Sequence, residues 1–241
     1  MSEKQSSGLK SLFFAASLCI VCSLLLTTAA IGLKRYQQQN ILADRQKNIL
    51  LAAKLIEEKS ALSPKELENI YQNSIRKVSV GPGGVILPTG QSAPGALPLY
   101  LVGEKDAVEA YIIPIDTTGL WGKIFGYLAL DADGTTVRGF TVYKHSETPG
   151  LGGEIEKRWF QKEFEGKKIV TAYGDFVSIG VTKGKSRDDH NVDGISGATL
   201  TGKYLSQGLK TILQDYEPVA IKFRNRNTIK APLGNLKGEH P

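Results

Sequence analysis

Cysteine is nearly absent from this chain. Cys19 and Cys22 are the only two, and both lie inside an uncharged apolar run, so the remainder folds without disulfides. A C-x-x-C pair would mean redox or metal chemistry in a soluble domain; inside an apolar run the two thiols behave as small hydrophobes. Histidine is also scarce, and the Cys/His spacings of zinc sites are missing, which leaves His145 and His190 to local hydrogen bonding and gives no metal site. No G-x-G-x-x-G follows any expected strand, so nothing points to direct binding of a dinucleotide. Zinc-finger and RNP patterns are absent too. The net charge of +6 comes from cations scattered among acids, except in "IKFRNRNTIK", and reads as a solvated basic tail without nucleic-acid recognition. There is no internal repeat and no low-complexity tract.

The longest feature present is the run "SLFFAASLCIVCSLLLTTAAIGL" at 11–33, which contains no charged residue. As a helix it is long enough to cross a hydrocarbon core of about 30 Å. Lys4 and Lys10 precede it like the basic region of a secretory signal, but the run exceeds the usual signal core and Lys34 and Arg35 flank its far end. We read a retained transmembrane helix behind an amino-terminal tail at 1–10. Cations on both sides leave the orientation unsettled by charge.

Residues 34–80 read as a helical segment. "NILADRQKNILLAAKLIEEK" spaces its apolar residues by three and four, and Ser63, Pro64 and Glu66 make a capping box that opens a second helix through about Val78. "GPGGVILPTGQSAPGALP" then reads as a surface loop. Period-two patterning follows in "AYIIPID" and "IFGYLALDADGTTVRGFTVY", with a turn at Asp133-Gly134, and again in "FVSIGVTKG". "GGEIEKRWFQKEF" and "TLTGKYLSQGLKTIL" have helical spacing. The expected fold is α+β: a single amino-terminal transmembrane helix, then a mixed α/β domain at 81–217, then a basic tail at 218–241.

Two glycine-rich segments stand out. "HSETPGLGGEI" leaves a strand and enters a helix; Gly150, Gly152 and Gly153 serve either a tight connection or close approach of backbone to a planar or anionic group. In "VDGISGATLTG", either Thr199 or Thr201 caps the closing helix, or Thr199 stands where that helix's free N–H groups hold a phosphate, its hydroxyl a phosphoryl acceptor. No Glu or Gln sits three residues beyond either threonine to complete a capping box.

The stretch D-x-x-S-G-A-T, Asp193 to Thr199, resembles the flavinylation motif of the FMN-binding domain family. "ETPGLG" (147–152), "GLWG" (119–122), "HNVD" (190–193) and "DRQKNIL" (44–50) resemble that family in the same order, from the apolar run to the closing helix. The resemblance implies one FMN per chain, joined as a phosphoester to Thr199 by a flavin transferase that moves it from FAD. It implies that Ser196, Gly197 and Ala198 shape the turn at the phosphate and that Asp193 belongs to the signature the transferase reads. It also implies that Thr148 and Leu151 border the isoalloxazine, with Glu147, Gly150, Gly152, Trp121 and Lys183 nearby. Such members are anchored in the bacterial inner membrane with the flavin domain outside the cytoplasm. They relay electrons between other membrane and flavoprotein subunits and do not turn over NADH alone. The set resembles the sodium-exporting complexes that oxidise NADH with quinone; an Rnf-type ferredoxin:NAD oxidoreductase subunit is the alternative, and a tethered scaffold whose Thr199 only caps a helix is a third.

Overall fold

A computed structural model describes residues 3–87, 90–91, 93–103 and 107–225. The chain divides at Asp44/Arg45 into two compact units. The first is the body of helix α1 (Glu3–Ala52), whose side chains are exposed from Lys10 to Leu42, Cys19 and Cys22 included. It contains an 18-residue window of mean hydropathy 2.3, enough by length and composition to cross a membrane.

The last turns of α1 belong to the second unit, where Ile49, Leu50 and Ala52 are buried. The expected continuation through "LIEEK" does not occur. Lys54 takes φ 56°, Leu55 N–H donates to Leu50 O and Lys54 N–H donates to Leu51 O, a Schellman ending. Lysine stands where glycine usually marks such a stop.

Helix α2 (Pro64–Ser74) opens on the expected capping box: Ser63 Oγ accepts from Glu66 N–H, and Glu66 Oε2 accepts from Ser63 N–H at 2.8 Å. It ends before the expected limit near Val78, because Ile75, Val78 and Val80 are spent on strand β1 (Ile75–Gly81). The stretch expected to be a surface loop is also partly strand. β2 (Val85–Leu87) pairs with β1, and β3 (Leu97–Val102) pairs with it from Ile75↔Val102 to Val80↔Leu97.

Strands β4 (Ala110–Thr118), β5 (Lys123–Asp131) and β6 (Val137–Lys144) complete an antiparallel sheet in the order β2-β1-β3-β4-β5-β6. Strand alternation divides their side chains between two faces. Tyr111, Ile113, Leu128 and Phe140 enter one core, which Phe160, Leu205 and Leu209 cover. Ile112, Tyr127 and Ala129 enter the other, beneath Ile49, Leu50 and Leu67. The β5–β6 turn falls where "DG" placed it: Gly134 has φ 69°, and Asp133 Oδ1 accepts from Thr135 and Thr136 N–H.

Beyond β6 the backbone is irregular. "GGEIEKRWFQKEF" is a 3-10 turn (Gly152–Glu156) followed by the short helix α3 (Arg158–Lys162). The strand expected in "FVSIGVTKG" shrinks to β7 (Gly180–Val181), parallel to β8 (Asn191–Val192), because Ser178 sits at φ 76° and breaks the extended run. Helix α4 (Thr199–Arg224) closes the fold. The boundary drawn at 217/218 falls inside it: Val219, Ala220 and Phe223 are buried, and Phe223 stacks on Tyr111 at 4.2 Å between centroids.

Candidate functional site

At one end of the sheet three segments converge. The first is the β4–β5 hairpin loop, "GLWG", closed by Gly119 N–H donating to Gly122 O at 2.7 Å; it presents Leu120 and Trp121, the latter 69% exposed. The second is "ETPGLG", which leaves β6. Leu151 N–H and Gly153 N–H both return to Thr148 O, and Gly150 holds φ 73° in the third place of that turn, directly after Pro149. The third is the turn into α4, where Ala198 N–H donates to Ile195 O and Gly197 holds φ 75° with Leu151 Cδ2 packed against it.

Between them lies a cleft of about 370 Å³, the size of a small-molecule site. Of the residues expected there, Trp121, Glu147, Thr148, Leu151 and Gly152 line it from one side, and Gly197, Ala198 and Thr199 from the other. Ser196 and Gly150 shape the two turns without lining the cleft. Asp193 and Lys183 lie apart from it. Asp193 Oδ1 accepts from Ser186 N–H at 2.7 Å, and Gly194 N–H donates to Gly184 O, so these bonds order the loop that carries Lys183.

Leu120 and Leu200, which the sequence does not single out, also line the cleft, as does Thr201, expected only as a helix cap. Leu200 was traceable, being apolar yet off the stripe of Leu205, Leu209 and Leu213. With Trp121 and Leu151 it gives the cleft apolar, exposed walls.

The start of α4 is uncapped. Ala198 occupies the N-cap position and offers no side-chain acceptor, and among the described residues the N–H groups of Thr199, Leu200 and Thr201 find none elsewhere. Neither threonine caps the helix. Thr199 is exposed and its hydroxyl has no protein partner among the described residues, whereas Thr201 is buried and donates to Glu147 Oε2 at 2.6 Å. Unpaired donors at the positive end of a 26-residue helix, beside an apolar cleft, suit an anion attached to a flat apolar body.

Glu147 is the brace of the site. It is 4% exposed, and its other oxygen, Oε1, accepts from Trp121 N–H at 3.0 Å, so one carboxylate joins the hairpin loop to the first turn of α4. Gly119 and Gly152 permit this: a Cβ on either would stand 2.4 Å from Glu147 Oε1 or 2.5 Å from Thr201 Oγ1. Behind it His145 Nδ1 accepts from Glu147 N–H at 3.0 Å, while Nε2 faces Glu156 Oε2 at 3.1 Å. The hydrogen bond from Lys157, with that from His145 added, holds the Glu156 carboxyl below its ordinary range despite some desolvation.

Residues 119–214 match the FMN-binding domain family. Over most of its length the chain is similar to the C subunit of the Na(+)-translocating NADH-quinone reductase. It is 34% identical to that of Yersinia pestis, covering 80% of this chain and 83% of the relative, and 33% identical to that of Vibrio anguillarum, covering 93% and 98%. The crystal structure of the same subunit from Parabacteroides distasonis superposes with a TM-score of 0.66 at 30% identity, over 78% of this chain and 96% of that one.

Proposed function

This chain belongs to the C-subunit family of Na(+)-translocating NADH-quinone reductases, and from that premise we propose that it carries one covalent FMN on Thr199 and relays electrons within such a complex. Its relatives are quinone-reductase subunits, which favours this complex over a ferredoxin:NAD oxidoreductase. The observation that carries the reading is the exposed Thr199 hydroxyl on the first turn of an uncapped helix, at the edge of a cleft with apolar walls.

When bound, FMN supplies the redox chemistry, accepting electrons and passing them on; the protein's part is attachment, orientation and electrostatics. The Thr199 hydroxyl would be the acceptor through which a flavin transferase, drawing on FAD and releasing AMP, attaches the FMN phosphate. The unpaired N–H groups of Leu200 and Thr201 would hold this phosphate. Leu120, Trp121, Leu151 and Leu200 shield the ring system from water, and Glu147 keeps the two walls at a fixed separation. Asp193 acts through the fold of the preceding loop, as part of what the transferase reads. Lys183 lies outside the cleft and is assigned no contact with the flavin.

Partner subunits of the complex donate and accept the electrons. The apolar helix at 11–33 anchors the chain in the bacterial inner membrane, with its amino terminus cytoplasmic and the flavin domain outside; a reporter fused after Pro241 should be active only outside the cytoplasm, and cytoplasmic activity would reverse that orientation.

The decisive test is the intact mass and visible spectrum of the full chain made with a flavin transferase. One FMN per chain is expected, and none in Thr199→Ala. Because the Thr199 hydroxyl makes no hydrogen bond among the described residues, that variant should melt within about 0.5 kcal/mol of the parent. A covalent flavin surviving in Thr199→Ala would move the attachment elsewhere.

A further inference from the structure

We propose that His145, acting through Glu147, is a positioning residue that makes the cleft respond to protons; as a statement about the flavin it rests on the reading of this cleft as the FMN site. The geometry defines the imidazole's state. Because Nδ1 accepts from Glu147 N–H at 3.0 Å, it holds a lone pair, the proton sits on Nε2, and Nε2–H donates to Glu156 Oε2 at 3.1 Å. The side chain is 12% exposed, and a Cβ at Gly153 would lie 3.3 Å from its Cε1, so the ring is packed in place.

A second proton can enter only at Nδ1. There it would turn an acceptor into a donor aimed at the N–H of Glu147, and the bond that holds this backbone would become a repulsion. The opposite edge of the ring gains, since an imidazolium pairs better with the Glu156 carboxylate. Protonation therefore exchanges one bond for another and displaces the chain at residue 147. That displacement has little slack to absorb it. The Glu147 side chain is pinned at both oxygens, to Trp121 N–H and to the Thr201 hydroxyl, and Gly119 and Gly152 close around it. Movement at residue 147 is carried to the Trp121 wall and to the turn of α4 that bears Thr199.

Other charged groups around the imidazole are accounted for. Lys157 shares Glu156 at 2.9 Å, and Glu154 accepts from Trp159 Nε1 at 3.1 Å. Lys144 lies over the Phe125 ring at 5.6 Å, and the Glu147 carboxylate faces away, towards Trp121 and Thr201. Among these contacts only Glu156 and the Glu147 amide bond the ring directly.

The test uses the full chain in detergent, prepared without flavin transferase, with Trp159→Phe so that Trp121 is the only tryptophan left to report on the cleft. From pH 8 to 5 its emission should shift in a single transition. His145→Asn keeps an oxygen able to accept from the N–H two residues on, as in an Asx turn, and does not titrate. Its emission should stay flat at the neutral-pH position. His145→Leu, which loses the acceptor, should stay flat at the acid position. A parent without a transition, or a transition that persists in His145→Asn, overturns the proposal. In flavin-loaded chains, the pH dependence of the midpoint potential should differ between parent and His145→Asn; identical profiles would overturn the link to the flavin. Failure of the FMN reading looks different: no flavin mass on the chain, with the Trp121 transition in the flavin-free protein unaffected.

Discussion

Between β3 and β6 the domain is regular sheet, whereas from His145 to Thr199 the backbone is irregular, running through turns and a few polar bonds over buried apolar anchors such as Phe160, Phe164 and Ile169. In the sheet, successive residues such as Ile112 and Ile113 enter different apolar cores, and neither is exposed. In the later region the only strands are two-residue pieces, and Gly150, Gly166, Gly174, Ser178 and Gly197 all hold positive φ. The sheet fixes where the cleft is, by bringing the end of the β4–β5 hairpin beside the end of β6. The irregular region fixes what the cleft offers: unpaired N–H groups, a free hydroxyl and close backbone approach. If that division is right, damage to the sheet should cost stability and spare flavin attachment, and damage to the brace should do the reverse.

The largest stability effect is expected in the sheet. Phe140 is fully buried and stacks on Phe164 at 4.1 Å, so Phe140→Ala should lose about 3–5 kcal/mol by denaturant titration. Below its melting point the folded fraction should still take one FMN on Thr199. Failure to attach flavin while folded would show that the two regions are not separable.

Thr201→Val reverses the balance. The substitution keeps the side chain's shape and removes the O–H that Glu147 Oε2 accepts, leaving a buried carboxylate oxygen unpaired at a cost of about 1–3 kcal/mol. The loss should be smaller than in Phe140→Ala, yet flavin incorporation under limiting transferase should fall, because the wall and the helix start are no longer tied together. Unchanged incorporation would mean that Glu147 does not position the acceptor.

The same division explains what was legible in the sequence. Period-two alternation in "AYIIPID" and the capping box at Ser63 are local patterns with local causes, and both appear in the fold as read. The start of α4 at Thr199 was legible for the same reason, since a small-residue turn and the helix after it are contiguous. The Glu147–Thr201 bond spans 54 positions, and no local pattern announces it. Lys54 ends α1 in a place where glycine would have signalled the stop. The continuation of α4 past Glu217 was hidden by Pro218 and by the basic residues of "IKFR", although Phe223 is core. That Lys183 stands outside the cleft lining was not legible, because the loop between β7 and β8 is ordered by Asp193 and Gly194, contacts that spacing does not reveal.

The smallest effect tests whether the irregular region stores strain outside the cleft. Ser178 holds φ 76°, is 4% exposed, and its Oγ is buried without a hydrogen-bond partner. The left-handed conformation costs a non-glycine residue about 1–2 kcal/mol, and an unpaired buried hydroxyl adds a penalty of about 1–3 kcal/mol. Against these, glycine gives up about 0.5–1 kcal/mol in chain entropy and loses the packing of one Cβ. Ser178→Gly should therefore be stabilising, by about 1 kcal/mol. Ser178→Ala separates the contributions, because it removes the orphan hydroxyl and keeps the strained Cβ: it should recover only the hydroxyl part. If Ser178→Gly destabilises while Ser178→Ala is neutral, the left-handed backbone is not strained there. A change in flavin incorporation in either variant would break the boundary drawn between this turn and the Thr199 cleft.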